Sequence, residues 1–101
     1  MDGPYAAGNF KVFLSASSWV ERGLFGGNAY RVIKAFKDAD GDEHAIGEEW
    51  PYLGSMFDRN YNEVSFCIRL GNAEEWSIPL IWRRDQQGDI VDHWDKYLAM
   101  V

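Results

Sequence analysis

Apolar and polar side chains alternate along much of the chain, and the period of the pattern changes once, near the C-terminus. The cleanest stretch runs from Glu63 to Leu70: Val64, Phe66, Ile68 and Leu70 fall on one face, and Glu63, Ser65, Cys67 and Arg69 on the other. A period of two is that of a strand with one buried face. Tyr30 to Phe36 is rich in β-branched and aromatic residues and reads as a strand, as does the run Glu48 to Phe57. Trp76, Ile78, Leu80 and Trp82 alternate on a further one, with Pro79 on the opposite face. Proline cannot donate to a ladder, so this strand is expected to be an edge or to break there. Asp38 to Asp42, Asp58 to Asn62 and Gly71-Asn72 carry turn chemistry between these runs. A weaker alternation predicts a short strand over Phe10 to Leu14. Ser18-x-x-Glu21 has the pattern of a capping box that starts one or two helical turns, which Gly23 and Gly26-Gly27 would end. The opening, Met1 to Asn9, is small and turn-rich and is expected to be loosely held.

Beyond the last strand, Ile90, Trp94, Tyr97, Leu98 and Val101 are spaced i, i+4, i+7, i+8, i+11, one stripe of a helix. Asp85 is the candidate N-cap, and Asp92 and Lys96 stand at a favourable i,i+4 spacing. Consecutive short strands with tight turns favour an antiparallel sheet over βαβ units, which need long crossovers. A strand (Tyr30 to Phe36), a long acidic loop (Lys37 to Ile46), a Gly47-Glu48 turn and an aromatic strand (Trp50 to Leu53) follow one another. That order resembles the first half of an SH3-type barrel, with its RT loop and diverging turn. The second half departs from it: the terminal helix is additional, and the proline-peptide tyrosines of SH3 domains have no match. The expected fold is mainly β: a small SH3-like antiparallel β-barrel over residues 28–101, an N-terminal extension over 1–27 and a C-terminal α-helix.

Charge narrows the partners. The 101 residues carry a net charge of −6, with ten basic side chains scattered among sixteen acids. Phosphate backbones and anionic membranes are bound through clustered Lys and Arg, so neither nucleic acid nor a membrane surface is an expected partner. A basic protein or a cation fits the charge, which also serves solubility. The single cysteine, Cys67, permits no internal disulfide and no Cys-based zinc site. With no signal-peptide pattern at Met1-Asp2-Gly3-Pro4 and no long apolar run, a cytoplasmic location is expected.

Little of the remaining chemistry points to catalysis. Asp38-Ala39-Asp40-Gly41-Asp42-Glu43 invites a calcium reading, but Gly41 comes two residues early for an EF-hand. A turn in which Asp side chains cap their own backbone and Gly41 supplies a positive φ explains the string better. His44 and His93 are the only histidines and lack cysteine support for zinc. Ser15, Ser17, Ser18 and Cys67 stand in no nucleophile motif. No cofactor, metal or enzymatic activity is expected. The competing reading is a small-molecule or metal-dependent enzyme with Asp40, His44 and Glu48 in its site. The aromatic group Trp50, Tyr52, Phe57, Trp76 and Trp82 cannot all point inward on a short barrel, so some members are either contact anchors or covered by the terminal segments.

A closer likeness rests on Tyr30-Arg31-Val32-Ile33, Phe36-x-Asp38-x-Asp40-Gly41-x-x-His44, Gly47-Glu48-x-Trp50 and Leu53-Gly54, continued by Trp76-x-Ile78, Gln87-Gly88-x-Ile90 and Tyr97-Leu98. These residues resemble a family of small bacterial domains of unknown function over about residues 28–99, leaving Met1 to Gly27 as an addition. The resemblance implies a bacterial source and brings no established activity. The functional expectation is therefore a binding module for a protein partner, such as a bacterial inhibitor or immunity protein. Its contact residues would be Asp38, Asp40, Asp42, His44, Glu48, Trp50 and Tyr52.

Overall fold

The computed structural model describes residues 1–6, 8, 24–71 and 74–101. The strand expected over Phe10 to Leu14 and the capping box at Ser18 to Glu21 lie outside them. The strands are β1 (Asp2–Ala6), β2 (Ala29–Val32), β3 (Phe36–Lys37), β4 (Glu43–His44), β5 (Glu49–Asp58), β6 (Glu63–Leu70), β7 (Glu74–Ile81) and β8 (Leu98–Met100). Between β7 and β8 come one short helix, α1 (Gly88–Asp92), and a 3-10 turn (Trp94–Lys96). Six strands form one sheet in the order β1-β7-β6-β5-β2-β8, and β3 and β4 pair as a separate hairpin. Every pairing among the described residues is antiparallel.

The fold class is mainly β and antiparallel, but the expected closed barrel is not formed: among the described residues the ladder runs from β1 to β8 and stays open. Curvature comes from β5. Its first residues, Glu49 to Pro51, pair with β2, whereas Tyr52 onward pairs with β6, and the register slips between Tyr52 and Gly54. Gly54, with φ of +150°, supplies the backbone freedom for this bulge, and a bulge bends the strand that carries it. β6 departs from its expected one-faced burial, since Ser65 and Cys67 are covered along with Val64, Phe66 and Ile68. Polarity alternates there, yet side chains as small as Ser and Cys fit a covered face. Tyr30, Val32, Trp50, Tyr52, Ile68, Ile78, Leu80 and Leu98 form the centre of the core.

Both ends of the chain correct the sequence reading. Met1 to Asn9 is not loosely held throughout: Asp2–Ala6 is a paired strand at one end of the sheet, opposite Ser77 to Glu74. At the other end the expected helix stops at Asp92, and Leu98–Met100 pairs with β2, Val32 opposite Leu98 and Tyr30 opposite Met100. The apolar spacing is used in part: Ile90, Tyr97 and Leu98 are buried and Trp94 is half-buried, but Val101 is 60% exposed and leaves the stripe. The ladder bonds that β2 offers outweigh a helical continuation that would be marginal at this length. Asp85 is not the cap; Gln87 precedes α1 without a side-chain cap bond. Asp92 accepts from Trp82 Nε1 at 2.9 Å, and Lys96 lies nearest Asp89. The strand from Tyr30 ends at Val32, and Ile33 is left exposed. Among the described residues no helix is long and apolar enough to cross a membrane.

At Pro79 the expectation holds in a local sense. β7 continues through it, but the pairing with β1 has already ended at Ser77. The Pro79 carbonyl accepts from Ala39 N–H at 2.8 Å, so this residue's backbone faces away from β6 and no ladder bond is lost.

Candidate functional site

The acidic loop is held from inside by the residues that carried the family likeness. In the β3-β4 turn, Asp38 Oδ1 accepts the backbone N–H of Asp40 at 2.9 Å and of Asp42 at 3.1 Å. Gly41, at φ of +86°, closes the turn as its place after Asp40 led one to expect. Asp38 Oδ2 faces His44 Nε2 at 2.8 Å, and His44 Nδ1 faces Glu48 Oε2 at 2.6 Å. Trp50 Nε1 donates to that same Glu48 oxygen at 2.9 Å. Phe36 stacks on the imidazole with ring centroids 4.8 Å apart. The Gly47-Glu48 turn makes this closure possible: Gly47 N–H bonds Val32, and Glu48 N–H bonds Ala45.

Asp38, His44 and Trp50 are each at most 2% exposed. Burial disfavours the imidazolium, but the hydrogen bonds to Glu48 and Asp38 and their charges outweigh it and raise the His44 pKa. Burial likewise works against the Asp38 and Glu48 carboxylates. Bonds from the N-terminal ammonium and His44 for Asp38, and from His44 and Trp50 for Glu48, hold both below their ordinary values. Both ring nitrogens of His44 are thus engaged by carboxylates. An imidazole so enclosed and so committed ties the loop to the core and leaves no nitrogen facing a substrate.

On the outer side the Met1 ammonium sits among three carboxylates, 2.8 Å from Asp38, 3.1 Å from Asp40 and closer still to Asp42. Partial burial would lower its pKa, but hydrogen bonds to Asp38, Asp42 and Asp40 raise it to about 10. The three carboxylate groups converge within 4.8 Å of one another, and the ammonium is their counter-charge.

The proposed contact residues thus divide. Asp40 and Asp42 are exposed and Glu48 partly so. Asp38, His44, Trp50 and Tyr52 are buried, which corrects their assignment as surface contacts. The aromatic run Trp50-x-Tyr52 belongs to the core face of β5, with Tyr52 edge-on to Tyr30 and Phe66. Of the other aromatics, Phe57 is 48% exposed and packs edge-on against Trp82, and Trp76 is half-buried. Ile46, 70% exposed, and Tyr61, 71% exposed, are the most exposed of the large apolar residues described and escaped the sequence reading. Each lies in a loop, where no periodicity marks it. His93 is exposed and borders a concavity with Trp82, Arg83, Arg84, Asp89 and Asp92, far in sequence from His44. Cys67 is buried and its thiol is pushed up to about 12, as suits a structural residue.

Three comparisons bear on this geometry. Residues 9–101 match the family model described as a domain of unknown function (DUF3601), which reaches further toward the N-terminus than the resemblance over 28–99. No curated protein gives a significant match. Among solved structures, the chain is similar to an integron cassette protein from the mobile metagenome of Vibrio cholerae. The two share 26% identity with a TM-score of 0.78, over 90% of this chain and 97% of that one.

Proposed function

We propose that this chain, which belongs to the DUF3601 family of domains of unknown function, is a non-enzymatic binding module for a basic protein partner. The observation that carries this reading is an exposed acidic loop anchored to the core from beneath. Asp40, Asp42, Glu43 and Ile46 of the loop are exposed, as is Glu49 at the start of β5, where it pairs with Arg31, while Asp38, His44 and Trp50 fix the backbone below. A loop held rigid before binding loses less conformational entropy on association. Clustered acids steer a basic partner, and a protruding apolar side chain anchors it. An inhibitor or immunity protein is one form of this reading, favoured by the small size and the charge of −6. The long loop, the Gly47-Glu48 turn and the bent β5 support the SH3-like description of β2 to β6. The burial of His44 weighs against the alternative of an enzyme built around it.

The test is affinity capture from host lysate with the wild-type chain and a Glu43→Gln/Ile46→Ala/Glu49→Gln variant as baits. A basic protein retained by the wild type, released by salt and lost by the variant is expected. Equal capture by both baits would refute the assignment of the acidic loop.

A further inference from the structure

The sheet has two outer strands among the described residues, and only one is defended against pairing. β1 carries an exposed Asp2, a bulge between Asp2 and Tyr5, and Pro4, which has no N–H to offer. Charge, bulges and proline are the devices by which monomers blunt a strand edge. β8, at the other end, has none of them: Tyr97 to Val101 is a run without a charged side chain. Val101 N–H bonds Ala29 and Ile33 N–H bonds Tyr97, so Tyr97 and Val101 turn their backbone groups toward β2. By the alternation of an antiparallel ladder Ala99 does the same, and the N–H and C=O of Leu98 and Met100 face outward. No described residue bonds them. Four of the seven exposed large apolar side chains among the described residues stand at this edge. Met100 and Val101 belong to its strand end, Ile33 lies beside Tyr97, and Phe25 lies beside Asn28, whose side chain reaches Met100.

We propose that β8 pairs with β8 of a second copy of this chain, antiparallel about a twofold axis at Ala99. In that register Leu98 lies opposite the partner's Met100, and each such pair exchanges N–H and C=O bonds. Ala99 meets the partner's Ala99 in the close pairing of an antiparallel ladder, about 4.5 Å between Cα atoms, where a methyl group fits. Charge favours a like strand. A segment carrying acids or bases would strip water from them against Leu98 and Met100, whereas β8 brings none. A seam this short buries less than the roughly 1,200 Å² at the low end of stable interfaces, so the dimer is reversible, with a dissociation constant on the order of 10–100 µM. The edge shares no residue with the acidic loop, so the proposal stands or falls apart from the binding reading above.

The test is sedimentation velocity from about 5 to 500 µM, across which the wild type should pass from monomer to dimer. Met100→Pro removes an outward N–H and no bond to β2, and should weaken association about tenfold or more. Met100→Leu, which keeps both the N–H and an apolar side chain, should associate as the wild type does. Hydrogen exchange needs no substitution: in the wild type the Leu98 and Met100 amides should slow as concentration rises, while Ala99 stays protected throughout. Each copy carries −6, so added salt should strengthen the dimer, the reverse of capture through the acidic loop. A wild type monomeric at every concentration, a Met100→Pro dimer of undiminished affinity, or a Met100→Leu variant as weak as Met100→Pro would overturn the proposal. So would a dimer whose Leu98 and Met100 amides exchange freely, or one that salt dissociates.

Discussion

Replacing His44 by alanine removes the partner of two carboxylates at once. Asp38 would keep the Met1 ammonium and two backbone donors, and Glu48 would keep Trp50 Nε1. Breaking a buried ion pair by deleting one partner costs about 3–5 kcal/mol, and losing the stack on Phe36 adds about 0.5–1.5 kcal/mol. The contacts that remain place the sum near the lower end, about 3.5 kcal/mol, against a total of roughly 5–15 kcal/mol for a domain of this size. With a urea dependence of about 1–3 kcal/mol per molar, the midpoint should fall by about 1–3.5 M. The assay is a urea melt at pH 6 beside His93→Ala, an exposed imidazole whose removal should cost under about 0.5 kcal/mol. If His44→Ala unfolds within about 0.3 M of the wild type, the network does not hold the loop, and the argument for a preorganised binding surface goes with it.

Two further outcomes follow from the geometry. The raised His44 pKa contributes stability that is complete below its ordinary value of 6.5 and is lost as pH rises through the folded-state value, and the Met1 amine, shifted from 8.0 to about 10, adds a second alkaline loss. The depressed Asp38 and Glu48 contribute fully above their ordinary values of 3.8 and 4.5 and lose this as pH falls. Melting temperature should therefore peak between about pH 4.5 and 6.5, and a profile flat from pH 5 to 10 would contradict the network. At the C-terminus, Leu98→Ala should cost about 2–5 kcal/mol and Val101→Ala under about 0.5 kcal/mol by chemical denaturation. Comparable losses at both would restore the single helical stripe in place of β8.

The strands were legible where side-chain polarity alternates over several residues, as in β6 and β7. Their partners were less so, because ladder order depends on contacts between distant segments. The tail shows this limit: Ile90, Tyr97 and Leu98 are spaced for a helix and are buried, yet a free edge of β2 decides the conformation of Leu98. The turn at Asp38 to Asp42 was read correctly, including the role of Gly41, because its hydrogen bonds are local. Its ties to Met1 and Trp50 were not, since burial turns acids and aromatics from contact candidates into internal partners. Ile46 left no mark in the sequence pattern, because it is a single side chain in a loop.

Pro79 limits how anything can approach its side of the sheet. An unpaired strand edge is an invitation to another strand, and chains with such edges associate or aggregate through it. Beyond Ser77 the outward-facing backbone of Pro79 has no N–H to offer, and its carbonyl is already taken by Ala39. An incoming strand would find neither donor nor acceptor at that residue. Any contact made beside Pro79 would then have to use side chains rather than the backbone hydrogen bonds of an added strand.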